Sequence, residues 1–144
     1  MGIREAKPDD CTVISELLEQ LGYPGTELFI REKFEELEKH TDEVLLVYEI
    51  EGKVVAFVSM HYIPQIGLEG DFARISYLVV DKAYRNRGIG GEIESYCFQL
   101  AKDRKCDRME VQSHAKRRMS HRFYYRQGYE ESPKYFIKMI NNSK

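Results

Sequence analysis

The stretch Val79-Val80-Asp81-Lys82-Ala83-Tyr84-Arg85-Asn86-Arg87-Gly88-Ile89-Gly90-Gly91 decides how this chain is read. An apolar strand end, Leu78-Val79-Val80, runs into a turn bearing Arg85, Arg87 and glycines. Ile89, Ile93, Cys97, Leu100 and Ala101 then recur at helical spacing as far as about Arg104. The first N–H groups of a helix lack intrahelical acceptors, and the helix dipole sets positive potential behind them. Such a junction suits an anion, above all a phosphate. Gly88 and Gly90 let the main chain approach a pyrophosphate with no Cβ in the way. The dinucleotide fingerprint needs a third glycine where Gly91-Glu92-Ile93 stands, and the GxxxxGK[ST] phosphate loop is absent. Taken locally, a glycine-rich turn without a ligand explains the pattern equally well.

The flanking chain reads as a series of short elements. Residues 2–6 form a first strand, Lys7-Pro8-Asp9-Asp10 a turn and cap, and Val13, Leu17, Leu18 and Leu21 the apolar stripe of a helix closed by Gly22. Thr26 caps a second helix with Leu28, Phe29, Phe34 and Leu37 on or near its apolar face. Residues 44–50 and 54–63 read as an antiparallel hairpin about Glu51-Gly52-Lys53. Residues 64–70 are a loop and 72–80 a strand. After the helix come a strand at 108–112, a short helix at 118–127 stopped by Gly128, and a last strand at 135–140. The order predicts an α/β fold, one domain over residues 1–144, whose central mixed, mostly antiparallel sheet is flanked by about four helices.

Composition narrows the function. Of 144 residues, 42% are hydrophobic and 32% charged, enough for a packed core under a polar surface. A net charge of −2 gives no global pull toward nucleic acid, and no apolar run is long enough to span a bilayer. Cys11, Cys97 and Cys106 match no zinc or CxxC spacing, so reduced thiols, a cytoplasmic location and no metal are expected.

Arg85-x-x-Gly88-x-Gly90, with Leu78-Val79-Val80 before it, resembles the [QR]xxGx[GA] motif of the GNAT acetyltransferase superfamily. His121-Arg122-Phe123-Tyr124-Tyr125-Arg126-Gln127-Gly128-Tyr129 resembles that family's second signature, an aromatic pair on a short helix ended by glycine and an aromatic residue. The tail from His121 through Ser132 to Lys138 is similar to the aminoalkylphosphonate N-acetyltransferase branch.

The resemblance implies acetyl-CoA as co-substrate and a GNAT-like fold. It implies pantetheine pairing with the main chain of Leu78, Val79 and Val80, and pyrophosphate held on Arg85, Asn86, Arg87, Gly88, Ile89 and Gly90. Arg117, Arg118 and Arg122 could meet the 3′-phosphate or form a solvated basic face. Tyr124 stands where the family usually holds the general acid, donating to the departing thiolate. The alternative is that Phe123 and Tyr124 are core aromatics. An oxyanion donor would be the N–H of Val79 or Val80.

The strand glutamate that serves many relatives as base is missing, and Arg74, Ser76 and Tyr77 stand on that strand instead. Candidate bases are His61, Glu69, Asp71, His114 and Glu110. His61 is favoured because an unperturbed imidazole titrates near physiological pH, against a structural role among apolar neighbours. The expected acceptor is the primary amine of a small molecule, an acidic amine such as an aminoalkylphosphonate by resemblance. Residues 64–70 and 22–26 are expected to shape its pocket. A protein or peptide N-acetyltransferase and a non-catalytic acyl-CoA-binding module are the alternatives. Relatives often dimerise, and the strand at 135–140 would offer an edge for a homodimer.

Overall fold

The computed structural model describes residues 2–112, 118–132 and 135–141. Spatial proximity divides the chain into two compact units, Met1–Gln112 and Ser113–Lys144. The first contains β1 (Gly2–Glu5), α1 (Cys11–Leu21), α2 (Ile30–Glu38), β2 (Glu43–Ile50), β3 (Lys53–Ile63), β4 (Phe72–Val80), α3 (Ile89–Asp103) and β5 (Arg108–Val111). Short 3₁₀ turns precede α1, α2 and α3. The second contains α4 (Arg118–Arg126).

The five strands lie in the order β1-β2-β3-β4-β5. The first four pair antiparallel, and β5 returns through α3 to lie parallel to β4. Parallel pairing requires such a crossover, which puts α3 on one face of the sheet. Glu51 (φ 49) and Gly52 (φ 79) both occupy the left-handed region and close the β2–β3 hairpin in two residues.

The sheet is covered on both faces. On one, Ile89, Ile93, Cys97 and Ala101 of α3, each four residues from the last, pack on Val58, Met60, Ala73 and Ile75. On the other, Ile14, Leu17 and Leu18 of α1 meet Val47, Phe57 and Val79. β3 is therefore buried almost continuously from Val54 to Met60, as a strand covered on both sides must be.

Three expectations are corrected. Leu28 and Phe29 are exposed and fall in a turn ahead of α2, whereas Phe34 alone of that helix is buried. Thr26 is buried and donates its hydroxyl to the Tyr23 carbonyl at 2.8 Å instead of capping a helix. Residues 135–140 carry no strand, so the edge expected there for a homodimer is not formed.

Candidate active site

β4 carries the site. It pairs with β3 throughout, but with β5 only from Phe72 to Ile75. The rung that joins Ile75 to Val111 is the last between them, and no described strand pairs with residues 76–80 on that side. Tyr77 stands opposite Ser59 and Ile75 opposite Met60, so Ser76 is the extra residue of a β-bulge where the strands separate.

The direction of the free backbone groups follows from one hydrogen bond. Asp81 donates its N–H to the Val55 carbonyl at 2.8 Å. Antiparallel alternation then commits the main chain of Tyr77 and Val79 to β3 and turns that of Leu78 and Val80 to the open side. Of the three residues expected to pair with pantetheine, Leu78 and Val80 thus face outward and Val79 faces Phe57. The Val80 carbonyl accepts from Arg85 Nε at 3.1 Å, which ties the turn to the strand end.

The turn is built by its own side chains. Asp81 accepts the Ala83 N–H at 2.9 Å and starts a 3₁₀ turn, Lys82–Tyr84. Cationic groups approach the Tyr84 ring, Lys53 Nζ at 5.3 Å and Arg87 Cζ at 4.9 Å from its centroid. Gly88, at φ +81°, is the residue from which α3 starts. Glu92 is the first whose N–H turns back, to the Gly88 carbonyl at 3.0 Å, so the N–H groups of Ile89, Gly90 and Gly91 have no acceptor in the helix. The Glu92 carboxylate accepts from Tyr48 and pushes its phenol pKa up, holding it protonated. Arg85 and Arg87 are exposed beside these donors. This arrangement fits a pyrophosphate, and the open edge of β4 leads directly into it.

A row of charged side chains crosses the sheet one rung before the strands part. Glu43, His61, Arg74 and Glu110 are successive register partners on β2, β3, β4 and β5. Their neighbours Met60, Tyr62, Ala73 and Ile75 face α3, so the row lies on the opposite face. His61 Nδ1 is hydrogen-bonded to Glu43 Oε2, and Arg74 contacts Glu110 through Nη2 at 2.7 Å and Nε at 3.1 Å. On the same face, Tyr23 stacks edge-on against Tyr77 with centroids 5.0 Å apart, bringing residues 22–26 to β4.

Burial, with Tyr23 second, raises the Tyr77 pKa. His61 is therefore not a lone histidine among apolar groups, and Glu43, Arg74, Tyr23 and Tyr77 join the site unforeseen. Glu110 faces Arg74 rather than standing free. Asp71 is 3.5 Å from Arg104, which also bonds Asp42 and stacks on Tyr62, so it belongs to a structural clasp. Glu69 lies exposed in the loop between β3 and β4, outside the row.

In the second unit, Tyr124 lies on α4 with edge-on contacts to Phe123 at 5.1 Å and Tyr129 at 5.4 Å, while Tyr125 is exposed. Gln127 and Gly128 end the helix, and Tyr129 donates its N–H to the Tyr124 carbonyl at 3.0 Å. His114 and Arg117 lie outside the described residues, as does the side chain of Arg118. No group of three or more His, Cys, Asp or Glu among the described residues is placed to hold a metal ion, and no described helix is long and apolar enough to cross a membrane.

Residues 12–129 match the acetyltransferase (GNAT) family, and the chain belongs to that family. It is 30% identical over 89 residues to the aminoalkylphosphonate N-acetyltransferase of Salmonella typhimurium strain LT2, covering 62% of this chain and 58% of that one. The matched part thus spans somewhat more than half the length of that relative. Among solved structures, glucosamine-6-phosphate N-acetyltransferase from Arabidopsis thaliana superposes with a TM-score of 0.84 at 24% identity, over 96% of this chain and 97% of that one. A transcriptional regulator from Bacillus halodurans C-125 gives 0.87 at 20% identity, over 96% and 98%. At these identities the two structures speak for the fold alone.

Proposed function

We propose that the protein is an acetyl-CoA-dependent N-acetyltransferase acting in the cytoplasm on the primary amine of a small molecule. The observation that carries this reading is the open backbone edge at Leu78 and Val80 running into the Gly88 turn. An arm bearing amides adds to the strand edge as a peptide would, and a pyrophosphate takes the orphan N–H groups of α3. Likeness to the aminoalkylphosphonate enzyme supports an acidic amine as acceptor.

The reaction asks four things of the chain. The amine must lose a proton, because a free amine with a pKa near 10 is mostly protonated at neutral pH. His61, directly or through a water, takes that proton. The amine nitrogen then bonds to the thioester carbonyl carbon, and an outward N–H, from Leu78 or Val80, receives the oxyanion that develops. The C–S bond breaks as the amide forms, and Tyr124 gives its phenol proton to the departing thiolate. No covalent bond to the protein forms, which leaves the three cysteines out of the chemistry.

Thermal unfolding with increasing acetyl-CoA, compared with adenosine diphosphate, tests the assignment. A hundredfold excess over Kd adds about 2.7 kcal/mol to the native state, and acetyl-CoA should shift the midpoint further than the diphosphate. No shift at millimolar acetyl-CoA would sink the cofactor assignment. A shift without turnover on any amine would leave a binding module. Loss of turnover in Tyr124→Phe with the shift retained identifies the acid, and comparing His61→Gln with Glu69→Gln identifies the base.

A further inference from the structure

Glu43 has no place in the reaction as so far described, yet its hydrogen bond to Nδ1 decides which nitrogen of His61 can act. We propose that Glu43 is a positioning residue that fixes His61 in the tautomer able to take the acceptor's proton. This rests on the reading of His61 as the base.

The argument begins with the two ring nitrogens. A neutral imidazole carries one proton, and the hydrogen bond made by one nitrogen sets the state of the other. Glu43 Oε2 can only accept while ionised, so its contact with Nδ1 places the proton there. Nε2 is left with the lone pair. When Nε2 takes the proton released by the attacking amine, the ring becomes an imidazolium, and the Glu43 carboxylate stabilises that charge. The proton then leaves to solvent, and the ring returns to the same tautomer. One proton is gained and one lost, and no bond to the protein is made.

The surroundings support this role. Side-chain exposure is 24% for His61 and 19% for Glu43, so water and a small acceptor reach the ring while the pair stays largely screened from bulk solvent. The other charge facing His61 across the sheet is Arg74, which would oppose an imidazolium, but Glu110 pairs with Arg74 and offsets it. Ahead of β2 the carbonyl of His40 accepts the Glu43 N–H at 3.3 Å, which anchors the first residue of the strand. Both side chains thus stand on paired strands rather than on loops, and a site built on rigid elements holds its geometry better.

The test compares Glu43→Gln with His61→Gln in the full chain, with each variant first shown to melt cooperatively. Turnover is followed with acetyl-CoA and a panel of small amines that includes aminomethylphosphonate. Glu43→Gln keeps the shape of the side chain and removes its charge. The expected result is a fall in kcat/KM of about tenfold or more, part of the hundredfold or greater effect of a general base. The KM for acetyl-CoA should not change. Long-range proton–nitrogen spectra of the imidazole supply a readout that needs no turnover. The parent should show Nδ1 protonated and Nε2 bare, and Glu43→Gln a mixture of tautomers. An unaltered kcat/KM and spectrum in Glu43→Gln, with His61→Gln impaired, would overturn the positioning role alone. An unimpaired His61→Gln would overturn the base reading, and the role of Glu43 with it.

Discussion

Arg74 on β4 and Glu110 on β5 meet across the sheet one rung before the strands separate, with Nε and Nη2 of the guanidinium on the same carboxylate oxygen. The rung Ile75–Val111 follows, and it is the last that β4 shares with β5. The ion pair therefore fastens the two parallel strands beside the point where the sheet opens. Its position matters more than its strength, because both side chains are partly exposed, Arg74 at 38% and Glu110 at 28%.

Glu110→Ala should accordingly cost no more than about 1 kcal/mol in urea denaturation, the range of solvent-screened pairs. Half-molar salt should shrink the difference from the parent. Amide exchange at Val111 should quicken more than exchange on β2 or β3. A loss of several kcal/mol would mean that the pair is far better shielded than its exposure indicates.

Gly88→Ala tests the turn. Nothing lies within 4 Å of a Cβ built at Gly88, so the penalty comes from its φ of +81° and not from crowding. The cost should be about 1 kcal/mol or somewhat more, with a smaller acetyl-CoA-induced rise in melting temperature. Gly67→Ala, equally uncrowded and without a positive φ, serves as the control and should change stability by less than about 0.5 kcal/mol.

Tyr23 and Tyr77 should be energetically coupled. Their edge-on stack joins the segment after α1 to the bulged strand, and aromatic pairs of this kind contribute about 0.5–1.5 kcal/mol beyond their buried area. A double-mutant cycle with Tyr23→Ala and Tyr77→Ala should give a coupling in the lower part of that range, since Tyr23 is half exposed. Additive effects would show that the contact does not hold the segment in solution.

Stability should fall in alkali through Cys97. Burial pushes its thiol pKa up to about 12, with Glu94 adding to the shift. An unfolded cysteine ionises near 8.5. A folded pKa above the unfolded one means that the contribution is complete below about pH 8.5 and is lost as pH rises toward 12. Melting temperature should decline across that window, and Cys97→Ala should flatten the decline. The Cys97 thiol should also resist alkylation at pH 8 until the protein unfolds. An identical decline in Cys97→Ala would assign it to other groups, such as Tyr62 and Tyr77, whose pKa values burial also raises.

Much of the fold can be read directly from the chain because its signals are local. The apolar stripe of α3, the Glu51-Gly52 turn and the strand from Phe72 to Val80 each depend on residues a few positions apart. The glycine turn after β4 is legible for the same reason. Local signals fail at residues 135–140, where an apolar run reads as a strand but carries none, since a strand exists only through a partner.

The charged row could not be read from the chain at all. With Ile50 opposite Lys53, counting back along an unbroken hairpin places Glu43 opposite Met60, whose side chain faces α3. One irregularity between Tyr48 and Glu49 leaves Val55 as an extra residue and brings Glu43 opposite His61 instead. A slip of one residue turns every later side chain to the other face of a sheet. The partners of Arg74 depend likewise on the crossover through α3 and on where β5 stops. Local sequence thus determined the elements and the phosphate turn, because short-range propensity and spacing suffice for them. Two bulges and a parallel pairing, set by tertiary packing across distant segments, decided which side chains meet and which backbone groups of β4 stand open.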